Sequence, residues 1–108
     1  MNIIICGAGR VGFSISSQLS KQGHSVTVID KSSVDIQKIN DSQDAKGILG
    51  IATYPSVLEK ADAKNTDMII AVTRNDEINM VVCQIAHSLF NVTRKIARIR
   101  SKEFLKPI

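Results

Sequence analysis

Three glycines in the spacing G-x-G-x-x-G, Gly7-Ala8-Gly9-Arg10-Val11-Gly12, lie between the apolar run Ile3-Ile4-Ile5-Cys6 and a helix-like stretch. Few features restrict a chain more. Gly7 permits the tight turn, Gly9 lets a pyrophosphate approach the backbone, and Gly12 lets the helix pack closely on the strand before it. The helix start then offers unpaired N–H groups and a partial positive charge to an anion. Taken alone the hexapeptide is a weak signal; its strand and helix context is what gives it weight.

The same alternation continues to the end of the chain. A helical pattern from about 10 to 22 carries Val11, Ile15 and Leu19 at four-residue spacing, with Gly23 placed to end it. Ser25–Ile29 reads as a second strand closed by Asp30, and Ser32 with Asp35 opens a helix whose apolar positions are Val34, Ile36 and Ile39. Gly47–Gly50 is a weak third strand, and Pro55, then Ser56 with Glu59, starts a short helix. Met68–Val72 is a fourth strand. The clearest helix follows, with Ile78, Val81, Val82, Ile85, Ala86, Leu89 and Phe90 at i, i+3, i+4, i+7, i+8, i+11 and i+12. Ile96–Ile99 is a fifth strand. Such alternation demands parallel strands with crossover helices on both faces, an α/β doubly wound sheet of Rossmann-like type with five or six strands. At 108 residues, residues 1–108 form one domain.

Asp30 stands 18 residues past Gly12, the spacing expected of an acid that binds a ribose. Its carboxylate can accept both ribose hydroxyls and would repel a 2′-phosphate. NAD(H) is therefore favoured over its phosphorylated form, although Lys31 beside it works the other way. ATP, ADP and AMP present the same ribose diol and stay open. A domain that kept its glycines only for packing is the alternative. Arg10 can reach phosphate oxygens or stay solvated. In the turn Thr73-Arg74-Asn75-Asp76-Glu77, Thr73 and Asn75 can meet a nucleotide, cap the next helix, or do both.

Composition narrows the classes further. With 44% hydrophobic and 22% charged residues, the chain is neither disordered nor membrane-spanning, and its longest apolar run, Ile3–Gly9, is too short to cross a bilayer. The net charge of +4 suggests nucleic acid, but residues 94–108 hold six of the 14 cations and only one of the ten acids. The rest is close to neutral, so no nucleic-acid partner is expected. Cys6 and Cys83 are too few for a disulfide scaffold and lack metal-ligand spacing. The start shows no secretory signal, which favours a cytoplasmic chain. His24 falls before the second strand and His87 on the polar side of a helix, and Tyr54 is the only tyrosine. None makes a catalytic set, no metal site is visible, and an enzyme is not expected.

Four stretches carry a family resemblance: Ile3–Gly12; Gly50-Ile51-Ala52-Thr53-Tyr54-Pro55-Ser56-Val57-Leu58; Ala71–Met80 with its Thr-x-x-Asp-Glu-x-Asn segment; and Cys83–Asn91 running on to Lys95-Ile96-Ala97-Arg98-Ile99-Arg100. On these the chain resembles the regulator-of-potassium-conductance N-terminal domain over essentially its whole length. The resemblance implies a non-catalytic sensor that binds NAD(H) or adenine nucleotides and assembles as a homodimer or larger ring. It further implies a place on the cytoplasmic face of the plasma membrane, where such domains gate a transmembrane potassium transporter. Matching positions imply Gly7, Gly9, Arg10, Val11 and Gly12 around the phosphates, and Asp30 with Lys31 at the ribose. Thr53 would lie near the adenine, Thr73, Asn75 and Glu77 across the cleft, and Arg98 near the phosphates or the dimer seam. At Ile51 the chain departs from many relatives, which carry an acid there.

The expected function is a nucleotide-sensing regulatory subunit of a potassium transporter. The alternative is the cofactor domain of an NAD-dependent oxidoreductase without its substrate domain. A longer regulator is expected, with a further helix or crossover beginning near Phe104.

Overall fold

A computed structural model describes residues 1–106. Five parallel strands, β1 (Asn2–Cys6), β2 (Ser25–Asp30), β3 (Lys46–Leu49), β4 (Met68–Ala71) and β5 (Arg94–Ala97), form one sheet in the order β3-β2-β1-β4-β5. The helices between them are α1 (Arg10–Lys21), α2 (Ser33–Ser42), α3 (Pro55–Lys60) and α4 (Asp76–Phe90). The expected fold class is thus observed, with five strands among the described residues.

Strand side chains alternate between two cores, as the two-residue repeat of a strand requires. Ile3, Ile5, Val26, Val28 and Ile70 pack with Ile36, Ile39, Phe13 and Leu19 on the α1/α2 face. Ile4, Cys6, Ile29, Ile69 and Ala71 pack with Leu58, Val82 and Ala86 on the α3/α4 face. Because both faces are covered, β1 and β4 read as continuous apolar runs rather than alternating ones. Full burial of each isoleucine contributes about 2 kcal/mol. No helix among the described residues is long and apolar enough to cross a membrane.

The caps follow the local chemistry. Ser32 accepts the Asp35 N–H at 3.2 Å at the start of α2, and Pro55 opens α3 at its first turn. Asn91 ends α4 in the left-handed region, at φ +54°. Gly12 and Ser16 are the two buried residues of α1, and Phe13, Ile15 and Leu19 pack beside them on the sheet's core. The Ser16 hydroxyl donates to Gln43 Oε1 at 2.6 Å, and Gln43 Nε2 donates to the Phe13 carbonyl at 2.9 Å.

Several expected details shift. Val11 is exposed, because the glycine at 12 brings the neighbouring face of α1 onto β1. Val34 is exposed because α2 rests on Ile36 and Ile39. On α4 the buried face is Asn79, Val82 and Ala86, and Val81 and Leu89 of the expected apolar stripe face outward. β5 begins two residues earlier than its apolar residues suggest, since the register with β4 pairs Met68 with Arg94. As an edge strand it has solvent on one side and admits Arg94 and Lys95. Near Phe104 the chain makes a 3-10 turn, Lys102–Leu105; the rest of the expected helix or crossover falls on Pro107 and Ile108, outside the described residues.

Candidate functional site

All five strands point the same way, so the segments that follow them emerge along one edge of the sheet. The sequence-predicted residues lie in spatial order along that edge. Thr53 follows β3, Asp30 and Lys31 close β2, the glycine loop follows β1, Thr73, Asn75 and Glu77 follow β4, and Arg98 follows β5. At about 4.8 Å per strand the row spans roughly 19 Å. The glycine loop sits between β2 and β4, where the strand order reverses direction and open α/β sheets bind their ligands.

Each glycine of the loop has a distinct steric environment. Gly7 has φ +115°, and a Cβ there would lie 2.9 Å from the Val72 carbonyl oxygen. A Cβ at Gly12 would lie 1.7 Å from the Gly7 carbonyl oxygen, so only glycine fits. Gly9 differs on both counts. Its φ of −70° suits any residue, and a Cβ there would meet nothing within 4 Å. Neither conformation nor packing calls for glycine at position 9. The open space lies at the N-cap of α1, where backbone N–H groups are unsatisfied by the helix itself and an anion is favoured. Arg10 and Val11 flank it and are exposed.

Asp30 is tied to this loop. Its Oδ2 accepts the Ala8 N–H at 2.7 Å and its Oδ1 accepts the Ser32 N–H at 2.8 Å. Each carboxylate oxygen keeps a second lone pair, so ribose hydroxyls can still be accepted. Lys31 beside it is exposed, and Thr53, half-buried, stands two strands from the loop.

On the other side, Thr73 and Asn75 serve the protein itself. The Thr73 hydroxyl donates to Asn79 Oδ1 at 2.7 Å and Asn75 Oδ1 accepts the Ile78 N–H at 2.9 Å, the capping role. Glu77 is exposed in the first turn of α4. The Arg98 guanidinium donates through Nη2 to the carbonyls of Val72 (3.2 Å) and Thr73 (2.9 Å), while its Nε is buried without a partner. A groove of about 690 Å³ bounded by Arg74, Asn75, Glu77, Arg100 and Phe104 extends this end of the row.

Two residues buried along this edge escape a hydropathy reading. Asn79 is wholly buried in α4, and Asp76 is buried at its start, accepting the N–H groups of Arg100 (3.0 Å) and Ser101 (2.7 Å). These bonds hold the Asp76 carboxyl below the usual carboxylate range. The signal for Asn79 is an amide three and seven residues before Val82 and Ala86, on the face that should be apolar.

The other reactive groups lie elsewhere. His24 precedes β2 and its Nδ1 is 3.1 Å from the Met1 amine, on the opposite edge of the sheet. His87 is exposed on α4. Burial pushes the thiol of Cys6 far above its ordinary pKa, and burial also raises that of half-buried Cys83, against a smaller opposing effect of Lys95.

Comparison with known proteins agrees with this architecture. A Trk system potassium uptake protein TrkA of Azorhizobium caulinodans is 47% identical over 107 residues, covering 99% of this chain and 23% of that protein. Its counterpart in Halomonas elongata is 40% identical, covering 97% of the chain and again 23% of the relative. The chain therefore spans about a quarter of the length of these relatives. Among solved structures, the Kef CTD of Shewanella denitrificans in its AMP-bound form superposes with a TM-score of 0.73 at 26% identity, covering 89% of this chain and 57% of that one. The NAD(P)-binding domain of an exopolyphosphatase-related protein from Archaeoglobus fulgidus shares the fold, with a TM-score of 0.82 at 22% identity and coverage of 94% and 75%. The TrkA-N domain family matches residues 3–108, and the chain belongs to that family.

Proposed function

We propose that this domain binds NAD(H), or in its place ATP, ADP or AMP, as the sensing part of a regulatory subunit that gates a Trk-type potassium uptake transporter from the cytoplasmic face of the membrane. The observation that carries the nucleotide reading is the open space over Gly9, beside an acid fixed at the end of β2. Gly7, Gly9, Arg10, Val11 and Gly12 would hold the phosphates, and Asp30 with Lys31 the ribose. Thr53 would lie on the adenine side, and Thr73, Asn75, Glu77 and Arg98 on the far side of the cleft. The AMP of the Kef structure supports an adenine nucleotide, and the names of the relatives support the potassium-uptake setting.

The domain acts as a binding module rather than an enzyme. A nucleotide that prefers one arrangement of the assembled subunits shifts the population toward it, by no more than its differential affinity. Assembly as a homodimer or larger ring is supported by Val81 and Leu89, exposed at 44% and 62% on α4, beside Ile78.

Calorimetric titration of the chain with NAD, NADH, NADPH, ATP, ADP and AMP tests the reading. The expected result is binding of the ribose-diol nucleotides and weaker binding of NADPH, whose 2′-phosphate meets Asp30. Absence of binding by all six overturns it.

A further inference from the structure

Asn79 occupies a position where the helix pattern calls for an apolar side chain, and its relative exposure is 0%. Burying an amide is costly unless its groups are bonded. Here both ends are. Oδ1 accepts the Thr73 backbone N–H at 2.9 Å and the Thr73 hydroxyl at 2.7 Å; Nδ2 donates to the Thr73 carbonyl at 3.2 Å and the Arg98 carbonyl at 2.9 Å. One side chain thereby joins the segments leaving β4 and β5. One turn earlier Asp76 takes the N–H groups of Arg100 and Ser101, and the Arg98 side chain returns to the Val72 and Thr73 carbonyls. On its other side the same Val72–Thr73 turn presses against the glycine loop, whose Gly7 leaves no room for a Cβ. An unbroken series of close contacts runs from Gly7 through Val72 and Thr73 to Asn79 and Arg98, and on to Arg100 and Ser101.

We infer that Asn79 is a positioning residue for the nucleotide site, which holds the Val72–Thr73 turn under the glycine loop and locks the chain leaving β5 to that turn, so that nucleotide occupancy registers at Arg100 and Ser101. The inference rests on the nucleotide reading above. A ligand that fixes the Gly7 turn removes freedom from Thr73, and through Asn79 the amides of Arg100 and Ser101 open less often. Coupling of this kind is reciprocal, so loosening the Asn79 joint weakens nucleotide binding.

Residue-resolved hydrogen exchange of the 108-residue chain, with and without saturating NADH or ATP, tests it. The readout is the ratio of exchange rates with and without nucleotide, because a merely structural role changes both rates together and leaves the ratio alone. The expected result is slowing of about fivefold or more at Arg100 and Ser101 in the wild type. In Asn79→Ala that ratio falls to one, and affinity falls about tenfold. Should Asn79→Ala fail to fold, Asn79→Ser, which replaces the amide by a single hydroxyl and removes the Nδ2 donation to the Thr73 and Arg98 carbonyls, is expected to lose the ratio while still binding nucleotide. Binding with an unchanged ratio at Arg100 and Ser101 in the wild type overturns the coupling alone. A ratio that survives in the folded variant overturns the role of this joint. No binding by the wild type overturns the nucleotide reading, and the coupling with it.

Discussion

The carboxylate of Asp30 accepts the backbone N–H of Ala8 at 2.7 Å, so the acid at the end of β2 braces the glycine loop within the protein itself. A nucleotide would meet a loop already held at Ala8. Asp30→Asn leaves one oxygen to face two N–H donors, those of Ala8 and Ser32. The expected cost is about 1–3 kcal/mol of stability, read by thermal or urea denaturation. Nucleotide affinity should fall about tenfold as well, since the proposed charged hydrogen bond to the ribose would be lost. Lost stability with unchanged affinity would mean that Asp30 serves only as a brace.

Gly9 and Gly12 should respond to alanine in opposite ways. Gly12→Ala drives a methyl group into the Gly7 carbonyl and is expected to destabilise the fold by about 3 kcal/mol or more. Gly9→Ala finds open space and an ordinary φ, so its stability should stay within about 1 kcal/mol of wild type, the cost of a poorer N-cap. Its nucleotide affinity should nevertheless drop steeply. Calorimetry and denaturation on the two variants check both halves, and undiminished binding by Gly9→Ala would count against a phosphate at that place.

Asp76 predicts a pH dependence with a definite sign. Its folded pKa lies below the unfolded value of 3.8, chiefly because the Arg100 and Ser101 amides bond the ionised form. The group therefore binds more protons unfolded than folded near that value, and stability rises with pH there. Its contribution is present above about pH 4 and is lost as pH falls through the lower folded value. Urea denaturation of wild type and Asp76→Asn between pH 2 and 7 should show the two curves converging at the acid end. A constant difference across that range would contradict the assignment.

The outward face of α4 gives a fourth prediction. Val81 and Leu89 are exposed, and Val81→Glu with Leu89→Lys adds one charge of each sign without touching the buried Asn79, Val82 and Ala86. The double variant should keep its melting temperature and its nucleotide affinity, while sedimentation shifts from dimer toward monomer. A wild type that sediments as a monomer at every concentration would remove this face from the assembly.

Much of the fold is legible in the sequence because the strands are covered on both faces. Ile3-Ile4-Ile5-Cys6 and Met68-Ile69-Ile70-Ala71 can satisfy two cores at once only as buried parallel strands. The glycine spacing and Asp30 point directly to one half of the candidate site. The buried polar residues escape for a physical reason. Hydropathy assigns polar residues to solvent, yet Ser16, Asn79 and Asp76 are buried, and each bonds in part to a residue outside any local window: Gln43, Arg98, and Arg100 with Ser101. Val11 and Val34 mislead in the opposite sense, since a valine can sit on the surface at little cost. β5 is misplaced because its bounds come from pairing with β4 rather than from its own side chains.

The pairing of Ser16 with Gln43 bears on how α1 is aimed. A helix that lies on a sheet through methyl groups alone can slide or roll by a fraction of an ångström at little cost, because dispersion contacts have no direction. Hydrogen bonds do. By substituting a hydroxyl and an amide for part of that greasy seam, the chain fixes both the roll and the axial offset of α1. The N–H groups at its tip then keep one bearing toward the space above Gly9, set from a residue at the far end of α2.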